Sequence, residues 1–272
     1  DREIVMDLLE MITGNRVHYA INTIGGVRRD LDEGQKAKIL EGIATLRKRS
    51  VYYFHIGANE PSFVGRIAGV GMLSKEQAVS LCAVGPVARA SGVARDVRKE
   101  DPYAVYDELD FELCTADTCD VLGRVVVRVK ELLESYKMIE QMVKGLPEGD
   151  IACKAPRKAK PGEVVSRYEA PRGENIHYIK ANGTDKPERL KVRAPTLGNY
   201  PATVAMLRNG FIADIPLIFA AIDPCICCAE RTVTLVGARN GEERLVTLGD
   251  LRRLAIERHQ SAPPKRNAVW PI

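Results

Sequence analysis

Three of the seven cysteines, Cys225, Cys227 and Cys228, fall within four residues, in the stretch Asp223-Pro-Cys-Ile-Cys-Cys-Ala-Glu-Arg231. A Cys-x-x-Cys spacing lets one turn present Cys225 and Cys228 to a single metal ion. Thiolates are soft donors that suit zinc, iron–sulfur clusters, copper(I) or nickel–iron. The competing reading is that these cysteines are small hydrophobes, buried beside the apolar run 215–222. Zinc would need two more ligands. Cys114 and Cys119 could supply them, although the Thr-Ala-Asp-Thr between them is a looser spacing. Redox chemistry of the thioredoxin type would need a strand–helix–strand setting, which is missing.

Two further stretches carry polar groups beside residues that allow close backbone approach. Glu169-Ala-Pro-Arg-Gly173 holds an arginine, a permanent cation with a planar fork of donors, next to a glycine. A surface turn with a solvated Arg172 is the plain alternative. Arg193-Ala-Pro-Thr-Leu-Gly-Asn199 has the same Gly/Pro-rich loop character, and a turn is again the plain reading. His177 sits in a strand-like stretch and reads as a packed histidine. His18, His55 and His259 have no carboxylate or cysteine partner nearby in sequence that would mark them as ligands. No Ser/His/Asp signature appears.

The elements that would hold these groups are mostly helical. Ile4, Val5, Leu8, Leu9, Met11 and Ile12 recur at helical spacing over residues 1–13, with Gly14-Asn15 as the stop. A Gly-hinged loop, 25–32, leads into a helix from about Glu33 to Arg49. Ser74 with Gln77 three residues on forms a capping box for a helix over 73–82. The strongest helix signal runs over 121–146, with apolar residues stepping by three and four. From Pro147 to about Asn199, Gly and Pro are dense, and short strands are expected at 174–182 and 188–194. An apolar helix is expected over 201–223. Beyond the cysteines, a hairpin with Asn240-Gly241 at its turn precedes a short basic helix and a loose tail from Ser261. The expected class is therefore mainly α with a small β-rich insert (α+β), without a parallel sheet or a Gly-x-Gly-x-x-Gly loop.

Composition narrows the function classes. A chain of 272 residues can bury a substantial core. Forty basic and 36 acidic residues are nearly balanced and dispersed, and aromatics make up only 6%, so no nucleic-acid footprint is present. No run of about 18 apolar residues occurs, so the sequence carries no transmembrane segment of its own. The cysteines do not form a disulfide framework, and no secretory signal is visible, which points to a reducing compartment. The chain opens without Met and inside a helical pattern, as a fragment would.

Together the motifs resemble the large subunit of nickel–iron hydrogenases, whose C-terminal Asp-Pro-Cys-x-x-Cys supplies two of four cysteine ligands. The Glu-Ala-Pro-Arg-Gly motif stands intact at 169–173, and Pro195-Thr196 matches the family's Pro-Ser/Thr loop. Three N-terminal stretches are similar to the membrane-bound, energy-converting branch related to the 49-kDa subunit of complex I. They are Thr13–Leu31, Gly69–Leu73 and Gly85–Tyr103. The motif's closing Arg231 agrees with that branch.

This resemblance implies a nickel–iron centre with cyanide and carbon monoxide ligands. Cys225 would be a terminal nickel ligand, and Cys228 would bridge nickel and iron. Arg172, following Pro171, and Thr196, following Pro195, would donate toward the cyanides. Asp223 would pair with Arg172. Cys227 has no role in that family and reads as a packing residue that fills the turn. It implies iron–sulfur clusters in a small hydrogenase subunit, membrane-arm subunits, and a peripheral place on the cytoplasmic side of the cell membrane. It also implies a maturation endopeptidase cutting between Arg231 and Thr232, which would divide the chain into a catalytic domain, 1–231, and an extension, 232–272. The family's other Cys-x-x-Cys does not occur among these residues, so the sequence holds half of such a site. The alternatives are a complex I-type subunit, a related sulfur-reducing complex, and a zinc-stabilised structural protein.

Overall fold

A computed structural model describes residues 1–17, 19–156, 158–229, 233–236, 241 and 243–261. Two compact units divide the chain, Asp1–Pro224 and Cys225–Ile272.

The first unit is mainly helical. Helix α1, Arg2–Thr13, ends on Gly14 in the left-handed conformation. A small hairpin follows, β1 (Asn22–Thr23) with β2 (Gly26–Val27), its second strand inside the region 25–32 expected as loop. Helix α2 runs over Glu33–Asn59 behind a capping box made by Asp32 and Gln35. It continues ten residues past the expected end at Arg49, through Val51, Tyr52, Tyr53 and Phe54. Those residues are poor intrinsic helix formers, but no stop signal interrupts them before Glu60. Glu60 is extended, as a residue before proline must be, and it caps α3, Pro61–Ile67. Helix α4, Lys75–Ser80, has the Ser74–Gln77 capping box the sequence predicts. Two short helices follow, α5 (Gly85–Arg89) and α6 (Val97–Glu100). The long helix α7, Val121–Lys144, starts on an Asp120 cap.

The β-rich insert is an antiparallel three-stranded sheet of β3 (Gly162–Ala170), β4 (Gly173–Ala181) and β5 (Arg189–Arg193), with β4 central. His177 on β4 stacks on Tyr168 of β3, as a packed histidine would. Helix α8, Pro195–Gly198, then leads into α9, Tyr200–Leu207. The single apolar helix expected over 201–223 is in fact broken. Asn209 adopts a left-handed conformation beside Gly210, a 3-10 turn covers Ile212–Asp214, and α10 is only Ile215–Ala221. The buried Asp214 carboxylate fixes this break by accepting from Arg66 Nη1 at 2.7 Å and from Phe211 N at 3.3 Å.

Two cores hold the unit. Ile39, Ile43, Leu46, Tyr136 and Val143 join α2 to α7, with α1 packed alongside. Leu73, Val87, Val121, Ala202, Met206, Ile218 and Ile222 join α5, α7, α9 and α10. The second unit contains α11 (Ile226–Ala229), the antiparallel pair β6 (Val233–Val236) and β7 (Glu243–Val246), and α12 (Leu248–Ser261). Asn240 of the expected turn, and the tail from 262, lie outside the described residues. No described helix is long and apolar enough to cross a membrane.

Candidate metal centre

Arg172 stands at the tip of the β3–β4 hairpin. Ala170 pairs with Gly173, so Pro171 and Arg172 form a two-residue turn rather than part of an irregular segment. The tip is pressed against the loop before α5. Gly85 has φ +64°, and a Cβ there would collide with Arg172 O and Gly173 Cα. Gly173 has φ +127°, and its Cβ would lie 2.6 Å from Gly85 N. Only two glycines allow so close a crossing.

The guanidinium is not solvated freely. Arg172 Nε donates to Asp223 O at 2.8 Å, and Nη2 donates to Asp223 Oδ1 at 3.0 Å. The second carboxylate oxygen, Oδ2, lies 2.9 Å from Nε. Asp223 is left-handed (φ 53°), a conformation that aspartate tolerates better than most residues and that is found here just before Pro224. Arg128 on α7 stands behind it, with Nη1 3.6 Å from Asp223 Oδ2. Burial pushes the Arg128 pKa down, and the Asp223 charge opposes that shift. Arg128 Nε has no hydrogen-bond partner among the described residues.

Pro195 and Thr196 are buried at the start of α8. Behind Pro171 lies a polar cleft of ≈ 350 Å³ lined by Arg89, Arg128, Glu131 and Glu169, among others. Arg89, 2% exposed, is bound there by three carboxylates: Glu131 at 2.6 Å, Glu169 at 2.8 Å and Asp96 at 3.4 Å. Burial raises the Glu169 pKa despite the pull of Arg89.

Cys225 and Cys228 belong to the second unit. Cys228 N and Ala229 N both donate to Cys225 O, at 3.1 and 3.2 Å, so one helical turn closes on Cys225. Residues three apart share a face of such a turn, which puts both thiols on one side. Cys227 is exposed and does not fill the turn as expected, because its position, two on from Cys225, faces another way.

Such a donor set fits one half of a four-thiolate nickel–iron centre. Among the described residues, no three His, Cys, Asp or Glu side chains gather as a metal-holding group. Burial and the charges of Glu131 and Glu134 push the Cys114 pKa up to about 11.

The structure thus brings Arg172 and Asp223 together, and Cys225 with Cys228. Sequence reasoning missed Arg89 and Arg128. The signal for Arg128 was present, since Arg124 and Arg128 put two cations on one face of an otherwise apolar run of α7. Arg89 carried none, because its carboxylate partners are scattered along the chain.

The profile of the respiratory-chain NADH dehydrogenase 49-kDa subunit matches residues 1–162 and 152–231. The chain belongs to that family of oxidoreductase subunits. Among its relatives is the carbon monoxide-induced hydrogenase of Rhodospirillum rubrum, 45% identical over 85% of this chain and 64% of that protein. An NADH-quinone oxidoreductase subunit of Dehalococcoides mccartyi is 40% identical over 82% of this chain and 61% of that protein. The membrane-bound hydrogenase subunit alpha of Pyrococcus furiosus is 35% identical over 97% and 65%, respectively. A membrane-bound sulfane sulfur reductase, an archaeal respiratory membrane complex, superposes with a TM-score of 0.78 at 33% identity, over 82% of this chain and 63% of that one. The chain therefore spans less than two thirds of the length of these relatives.

Proposed function

We propose that the chain is the catalytic subunit of a membrane-bound nickel–iron hydrogenase, peripheral on the cytoplasmic side of the membrane. The observation that carries this reading is the Cys225–Cys228 turn, following in sequence an Asp223 that Arg172 grips through both its carbonyl and its carboxylate. A nickel–iron centre bound by four thiolates supplies the interconversion of H2 with two protons and two electrons.

In this reading Cys225 and Cys228 hold the metals. Arg172 and Thr196 would donate to the anionic cyanides, and charge-assisted hydrogen bonds are the strong ones. Asp223 orients Arg172 and balances its charge, while Pro171 and Pro195 stiffen the two donor loops. Electrons pass through the iron–sulfur clusters of a small subunit from ferredoxin or a formate- or carbon monoxide-linked donor. Ion pumping belongs to the membrane-arm subunits. The hydrogenase relatives support this assignment.

The second reading is a complex I-type or sulfur-reducing subunit without a complete nickel–iron centre, favoured by the sulfane sulfur reductase neighbour and the NADH-quinone oxidoreductase relatives. Metal analysis and gas exchange on the assembled complex separate the two. Nickel near one per catalytic subunit, with H2 turnover, is expected. A complex without nickel that turns over quinone or polysulfide would overturn the hydrogenase reading.

A further inference from the structure

Asn199 closes α8 and is 1% exposed. Its Oδ1 accepts from Val84 N at 2.9 Å, and its Nδ2 donates to Val84 O at 3.3 Å. The primary amide therefore takes both polar groups of one backbone residue, as a neighbouring strand would. Nδ2 also donates to Arg172 O, with 3.5 Å between nitrogen and oxygen, across the hairpin tip. Asn199 N in turn donates to Pro195 O at 3.0 Å and to Thr196 O at 3.2 Å, closing the turn that carries Thr196. One buried residue thus touches the loop before α5, the hairpin tip and the α8 turn.

We infer that Asn199 is the positioning residue that sets Arg172 and Thr196 relative to each other. The inference rests on the hydrogenase reading, in which those two side chains are the donors facing the cyanides. The Gly85–Gly173 crossing fixes how closely the tip and the loop approach, but two glycines without side chains leave them free to slide. The Asn199 amide removes that freedom, because Val84 and Arg172 are hydrogen-bonded to one planar group. Asp223 then fixes the guanidinium end. A side chain held by its backbone at one end and by a carboxylate at the other aims its remaining donors in one direction. Misplacing such a group by about 1 Å costs on the order of 10²-fold in rate.

No other amino acid reproduces this pattern. Aspartate keeps the acceptor for Val84 N but loses both donors, and it sets a carboxylate against the Val84 and Arg172 carbonyls. Alanine loses all three bonds.

The test uses the assembled enzyme with Asn199→Asp and Asn199→Ala, each in wild-type and Arg172→Lys backgrounds. Nickel content, cyanide stretching bands and turnover are read together. With nickel held within about twofold of wild type, the substitutions should shift or broaden the cyanide bands. They should lower turnover about tenfold in the wild-type background and less than about twofold in the Arg172→Lys background, since residues acting through one another are not additive. Unchanged cyanide bands at equal nickel would overturn the inference, as would losses that simply multiply with Arg172→Lys. Loss of nickel from both variants would also overturn it, because Asn199 would then only hold the fold. Wild-type enzyme with no cyanide bands at all would instead sink the hydrogenase reading, an outcome that unchanged variants cannot imitate.

Discussion

Replacing Arg172 by lysine tests the centre most directly. In the structure the guanidinium meets Asp223 O at 2.8 Å, Oδ1 at 3.0 Å and Oδ2 at 2.9 Å from two of its nitrogens. A lysine ammonium is one nitrogen on a flexible stem and keeps one of these contacts at a time. Hydrogen bonds to charged groups contribute about 1.5–3 kcal/mol each, but this pair is partly exposed and solvent screening reduces the figure to about 1 kcal/mol per lost bond. Arg128 stays 3.6 Å from Asp223, so the carboxylate is not left without a counter-charge. The folding cost is then about 1–2 kcal/mol, a Tm drop of a few degrees.

The catalytic cost is of another size. Removing a preorganised donor of this kind lowers rates by about 10²–10³, or about 3–4 kcal/mol. A folding loss of about 1–2 kcal/mol hardly changes the folded fraction of a protein stable by about 5–15 kcal/mol, so it cannot account for that rate loss. Nickel analysis, thermal melting and H2 turnover on the assembled Arg172→Lys enzyme separate the two effects. Nickel near wild type, a small Tm shift and a large loss of turnover are expected. Wild-type turnover at equal nickel occupancy would refute the role given to Arg172.

Three further outcomes follow from particular residues. Asp96 is buried, which opposes its charge, but hydrogen bonds from Arg98 and the charges of Arg89 and Arg98 hold its carboxyl below the ordinary 3.8. A lowered carboxyl contributes stability above its ordinary pKa and loses it as pH falls. Asp96→Asn should therefore destabilise by about 3–5 kcal/mol near neutrality, with the difference from wild type shrinking below about pH 4 in denaturant titrations; a constant difference would contradict this. Cys114, with its pKa near 11, should be alkylated more slowly at about pH 8 than the exposed Cys82, Cys153 and Cys227, and peptide mapping showing equal labelling would count against its burial. Intact mass of enzyme from a nickel-replete native host should show a terminus at Arg231 that reverts to Ile272 under nickel starvation, and a mature chain still ending at Ile272 would refute processing; both residues at the cut lie outside the described structure.

Local signals were readable in the sequence, and distant ones were not. The Ser74–Gln77 cap is complete within four residues, so sequence and structure agree there. The break at Asn209-Gly210 is a turn dipeptide whose local signal was missed inside the apolar stretch 201–223. The end of α2 reads near Arg49 in the sequence, whereas the helix runs on to Asn59 and stops before Pro61. The Cys225–Cys228 turn was legible because its thiols are three apart. The Arg172–Asp223 pairing, with 50 residues between its members, was reachable only through the resemblance. Asn199 gave no signal, since its worth depends on Val84 and Arg172 arriving from elsewhere.

Behind the hairpin tip, the Arg89 network shows what the fold gives up to place one side chain. Glu169, the first residue of the motif, is held by Arg89 Nη1 at 2.8 Å, by Val97 N at 3.3 Å and, through its own backbone, by Tyr103 Oη at 3.2 Å. Arg89 in turn binds Glu131 on α7, and Asp96 binds Arg98. Buried ion networks of this kind contribute little net stability, because desolvation offsets most of the attraction, and apolar residues of similar volume often do as well. Glu169 itself bears part of that cost, since burial raises its pKa. An apolar cluster could hold β3 against α6, but it would let the strand settle anywhere on a greasy surface. Directional bonds from Arg89, Val97 and Tyr103 fix the height at which Glu169 stops, and three residues later the chain reaches Arg172. The network therefore sets the register of the arginine, while Asn199 and the two glycines set its distance and Asp223 its direction.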